Sequence, residues 1–199
     1  MSFLSWLKSK ISWSDVSPSV PVPPPQHGLV PVPVSKGWEH LQIWINGEDL
    51  IVKGTATAFG GAADPLDNGQ TASGYPTKGH PNLLGVALPM HNIHVWNKKR
   101  GYVLAGSPIP AMPFGIRKDG HLNLQGAFVD VTFPDGSTVF KVPVIDLGPA
   151  GWTGDAIDLT VALARKYRPK ATANNFSCEV TYRIRGGAKY LPSNLIQIP

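Results

Sequence analysis

The chain has 199 residues, 42% of them hydrophobic, which is enough for one domain with a real core plus a tail. Its 21 glycines and 20 prolines favour turns and short strands over long helices. The single cysteine, Cys178, excludes an intrachain disulfide framework and a cysteine-based zinc site. The formal charge of +5 suits a polyanionic partner (a cell-wall polymer, nucleic acid or a membrane surface) without selecting one, and no stretch approaches the ~18 apolar residues of a membrane span.

Residues 2–13, SFLSWLKSKISW, put Phe3, Leu4, Trp6, Leu7, Ile11 and Trp13 on one helical face and Lys8 and Lys10 towards the other. An amphipathic helix over 1–16 follows, suited to a membrane surface or to docking on a protein. A signal peptide would need a longer apolar centre and a small-residue cleavage site. Residues 17–35, with alternating Val-Pro and a Pro-Pro-Pro run, read as a stiff polyproline linker, leaving 36–199 as the folded domain.

Within that domain, 40–59 reads as a hairpin turning at Asn46-Gly47, because Leu41, Ile43 and Ile45 alternate with Gln42 and Trp44. Residues 60–82 are a loop dense in Gly, Pro, Asp and Asn. Residues 83–88 are a short apolar strand, and 89–112 a long mixed loop with Asn97-Lys98-Lys99-Arg100-Gly101 at a solvated tip. A second hairpin pairs 127–133 with 138–146 across Pro-Asp-Gly-Ser. Asp158 fits a helix N-cap, and the helix it opens stops near Tyr167, before Pro169. Residues 176–185 alternate as a final strand. Many short strands with one late helix predict a mainly β protein, a small barrel with one packed helix.

Four pieces, in this order, carry a resemblance. They are Gly54-Thr-Ala-Thr-Ala-Phe-Gly60, Thr71-Ala-Ser-Gly74, Pro113-Phe-Gly115, and Asp146-Leu-Gly-Pro followed by Ile157-Asp158-Leu-Thr and an Ala-rich helix. Together they span 54–168 and resemble the six-stranded double-psi β-barrel of the RlpA-like lytic transglycosylases, a fold shared with expansins, barwin-like proteins and family 45 glycoside hydrolases. The resemblance implies peptidoglycan or a related polysaccharide as partner, no cofactor, no metal, and action at the cell wall or periplasm or within a virion or secretion apparatus. Two departures stand out. Leu88 falls where that family has a histidine, with His80 and His91 nearest in sequence. About twenty residues, Met90 to Ala111, are inserted before Pro113.

Asp146 is the candidate catalytic group. A lytic transglycosylase needs one carboxyl that protonates the glycosidic oxygen and then takes a proton from the sugar's 6-hydroxyl. Burial at the end of the apolar Val-Pro-Val-Ile strand would raise its pKa to suit. The bland alternative is an aspartate that bonds the amides of the Gly148 turn. By match to the family loop, Ser73 and Tyr75 line the cleft, and Tyr75 and Trp152 can stack on sugar faces. His91 is the further substrate-binding candidate; His91 and His94 lack a third ligand for a metal. Asp64 and Asp67 are possible second carboxylates or plain turn residues, too few in ligands for calcium. Asp155 reads as a solvated turn residue.

Two functions follow. One is a peptidoglycan-active, carbohydrate-cleaving enzyme, a lytic transglycosylase by resemblance. The other is a non-catalytic glycan-binding or assembly module on the same barrel, which Leu88 favours. Scattered basic residues with no stacking motif argue against nucleic acid.

Overall fold

A computed structural model describes residues 28–34, 36–61, 64, 69, 71, 73–78, 80–90, 96–97, 101–102, 107, 109, 115–116, 122–123, 127–149 and 151–191. The expected helix over 1–16 and most of the linker lie outside these residues. In chain order the strands are β1 (Val30–Pro31), β2 (Gln42–Asn46), β3 (Asp49–Phe59), β4 (Val86–Leu88), β5 (Trp96–Asn97), β6 (Gly101–Tyr102), β7 (Gly115–Ile116), β8 (Leu122–Asn123), β9 (Phe128–Thr132), β10 (Thr138–Leu147), β11 (Ile157–Thr160) and β12 (Ser177–Ile184). Among the described residues the single α-helix is α1 (Val161–Tyr167).

Six strands close into a barrel in the order β3-β11-β4-β10-β9-β12, with β12 returning to β3. The β3–β11 and β4–β10 pairs are parallel and the other four are antiparallel. This mixed, closed arrangement is compatible with a double-psi barrel. Strict alternation sets the inside: along β3, Leu50, Val52, Ala56 and Ala58 are buried while Ile51, Lys53, Thr55 and Thr57 are partly exposed. Val86, Leu88, Val131, Val144, Ile157, Leu159, Val180 and Tyr182 fill the interior from the other strands. The Tyr182 hydroxyl, buried in that core, donates to the Ala156 carbonyl at 3.2 Å and so fixes the approach to β11.

Several elements differ in detail from expectation. The first hairpin turns one residue later, at Gly47-Glu48, because Asn46 pairs with Asp49 and the positive φ of +60° falls on Gly47. The sheet also begins within the proline-rich stretch. Val30 and Pro31 pair with Ile45 and Trp44, the Val32 amide donates to Ile43, and the Val32 side chain is buried. In the long inserted loop, Met90 and Ile109 meet in a parallel bridge and both are fully buried, so the insertion leaves and re-enters the barrel at one place.

Asp158 is not a helix cap. It lies in β11, and the cap is Thr160, whose side chain accepts from the Leu163 amide. The sequence Ile-Asp-Leu-Thr-Val-Ala-Leu runs a strand directly into a helix, and two residues of capping type stand two apart. Parallel pairing of Ile157–Thr160 with Ala56–Phe59 decides between them. The helix then buries Leu163 and Ala164 and stacks Tyr167 on Phe133 with ring centroids 5.0 Å apart.

Candidate functional site

Five residues lie in one row across the barrel wall. Asp146 pairs with Ala87, Ala87 with Asp158, Asp158 with Thr57, and Thr57 with Ser177. Directly paired residues face the same side of a sheet, so this row shares the outer face of the barrel. Asp146 and Asp158 thus flank Ala87 from opposite sides, two inter-strand spacings or about 10 Å apart at the backbone. Leu88, the residue at the family's histidine position, faces the other way: it pairs with Leu147 and is fully buried in the core. The residue that faces both aspartates is Ala87.

A bulge aims Asp146. Val144 pairs with Val86 and Asp146 with Ala87, so Ile145 is an extra residue in β10. Its side chain fills the space over Gly85, where a Cβ would collide with it. Its carbonyl accepts a hydrogen bond from the Ser73 hydroxyl. Ser73 is 2% exposed and belongs to a loop that closes on itself: Thr71 N–H donates to the Tyr75 carbonyl at 2.9 Å, and Tyr75 N–H to the Thr71 hydroxyl at 2.9 Å. The Ser73 hydroxyl is therefore turned to the backbone of the bulge, and Tyr75 is carried half-buried on the same loop.

The turn after Asp146 wraps onto Asp158. Leu147 N–H donates to Asp146 Oδ1 at 2.8 Å. Gly148 has φ +133°, its amide donates to the Leu88 carbonyl, and a Cβ there would stand 3.6 Å from Asp158 Oδ2. Thr57 donates its hydroxyl to Asp158 Oδ1. Burial pushes the Asp158 carboxyl up to about 6; the Thr57 bond opposes the shift, and the charges of Asp155, Asp146 and Asp64 add to it. Three neighbouring carboxylates therefore act on Asp158 in the same direction as its burial.

Asp64 is drawn in from the loop after β3, where its carboxylate accepts from Gly60 N–H at 2.7 Å. Asp155 is not a solvated turn residue. It is half-buried, and burial raises its pKa against the opposing effects of the Thr153 side chain and the His40 charge. His40 itself sits beside Trp38, ring centroids 5.7 Å apart, with its Nε2 buried and, among the described residues, without a hydrogen-bond partner. Nothing in the sequence pattern singles it out. Asp67 and His91 lie outside the described residues, as does the side chain of Trp152, whose backbone is in a short turn of 3-10 helix, Gly151–Thr153. Among the described residues no three His, Cys, Asp or Glu side chains converge to hold a metal ion.

Beyond the row, between β3, α1 and the 77–83 segment, lies a cavity of about 260 Å³ whose lining includes Phe59, His80, Leu83, Val161 and Arg165. Comparison with known protein-family models, characterised proteins and solved structures yields no match.

Proposed function

We propose that the Asp146–Ala87–Asp158 row is the catalytic centre of a carbohydrate-cleaving enzyme acting on peptidoglycan or a related polysaccharide. The observation that carries this reading is Asp158 itself. Its carboxyl holds a proton up to about pH 6 and faces a second carboxylate across a single small residue. Asp158 is the general acid that protonates the glycosidic oxygen as the C–O bond breaks. Asp146 receives the proton of the incoming nucleophile. With that nucleophile the sugar's own 6-hydroxyl, an anhydro ring closes, which is the product of the lytic transglycosylases that the Asp-Leu-Gly-Pro and Ile-Asp-Leu-Thr motifs resemble, but with the two proton transfers divided between two carboxyls instead of made by one. With water as nucleophile the bond is hydrolysed; an inverting reaction uses carboxyl groups ~6.5–9.5 Å apart, and the backbones of the two aspartates stand two strand spacings, about 10 Å, apart.

Mass spectrometry of purified sacculi digested with the protein tests this and separates the two outcomes. Anhydro ends identify the lytic reaction and reducing ends the hydrolytic one. Asp146→Asn should lower either rate by ~10²–10⁴-fold, the usual worth of a positioned acid or base. The non-catalytic glycan-binding module is the second reading. It is favoured by Leu88, which stands where the resembled family has a histidine, and release of no product from any sacculus would establish it over the first.

A further inference from the structure

The cavity beside the carboxylate row has its own chemistry. At about 260 Å³ it is smaller than the ~300–1,000 Å³ of pockets that enclose a whole drug-sized ligand, so it takes one group of something larger. The rest of that ligand must lie outside, and the neighbouring surface is the carboxylate row. Phe59 and Thr160, which line the cavity, follow Thr57 and Asp158 by two residues on the same strands and face, about 7 Å along. Its walls are mainly apolar, Phe59, Leu83 and Val161 among them, with His80 and Arg165 as the groups that can carry positive charge. The Arg165 Nε donates to the Ala171 carbonyl at 3.0 Å, which anchors the guanidinium. Among the described residues Arg165 has no carboxylate partner, whereas Lys53, Arg183 and Arg185 pair with Glu179, Asp49 and Asp130.

Building on the proposed function, we infer that this cavity is a specificity subsite that receives a carboxylate-bearing aliphatic substituent of the substrate glycan, the stem against Leu83 and Val161 and the carboxylate at Arg165. A free anion gains little so near four aspartates; one tethered to a glycan lying along the row is delivered past them. The substrate class is thus an acidic glycan rather than a neutral one.

The test uses the full chain carrying Asp146→Asn, which binds without turnover. Calorimetric titration compares two probes: peptide-free peptidoglycan glycan strands, and the same strands with their carboxyl groups reduced to alcohols. The acidic strands should bind roughly tenfold more tightly, as a charge-assisted hydrogen bond contributes. Adding Arg165→Gln should abolish that preference, read as the ratio of the two affinities. Ala162→Phe, which fills the cavity from α1, should abolish it too and serves if Arg165→Gln does not fold. Equal affinity for both probes, or a preference that survives in a folded variant, overturns the subsite and leaves glycan binding intact. Binding of neither probe overturns the subsite together with the reading on which it rests.

Discussion

Replacing Asp158 by Asn should make the protein more stable at neutral pH, and by an amount that depends on pH. Holding ionised a carboxyl whose pKa has risen from 3.8 to about 6 costs about 3 kcal/mol in the folded state. The folded pKa lies above the unfolded one, so the stability contribution is fully present below about pH 4. It is lost as pH rises towards about 6, because the folded chain keeps a proton that the unfolded chain releases. Asn carries no charge at any pH, and its Oδ1 can still accept from Thr57. The variant should therefore match the wild type near pH 4 and exceed it at pH 7–8 by up to about 3 kcal/mol, a ceiling because Asp158 keeps some contact with water. Urea unfolding of both proteins from pH 4 to 8 measures the difference directly. A difference that does not change with pH, or a variant less stable than the wild type at pH 8, would refute the assignment of a buried, proton-holding carboxyl to this position. Greater stability with lost function is the usual signature of a residue kept for its chemistry.

Thr160→Ala should destabilise by roughly 2–4 kcal/mol in the same assay, since it removes the cap of α1 and leaves the buried Gly85 amide without its 3.2 Å acceptor. A chain beginning at Lys36 should melt at a lower temperature than one beginning at Gly28, because only the former lacks β1 and the buried Val32, whose packing contributes about 1.5–3 kcal/mol.

What the sequence revealed of this fold was local. Period-two alternation marks β2 and β12, the Pro-Asp-Gly-Ser turn marks the β9–β10 hairpin, and β2, β9 and β12 lie within a residue or two of their expected limits. Asp146 was also legible, because an apolar strand ending in Asp and a Gly-Pro turn is a local pattern. What gathers round it was not. Asp158 joins the site through parallel pairing with Thr57, 101 residues earlier, and antiparallel pairing with Ala87. From its neighbours alone, the same aspartate is indistinguishable from a helix cap. The resemblance places Ser73 along a cleft but does not signal the partner of its hydroxyl. Its contact with Ile145 is 72 residues away in sequence and depends on a bulge that no periodicity signals. The partial burial of Asp155 and the burial of His40 Nε2 likewise have no local signal in the sequence.

The pH dependence of kcat/KM on peptidoglycan strands tests the central claim most directly. With Asp158 as the general acid, activity should fall roughly tenfold per pH unit on the alkaline side of a midpoint near 6, and Asp158→Asn should be inactive across the range. Activity that stays level or rises between pH 6 and 8, or cleavage that survives in Asp158→Asn, would contradict it.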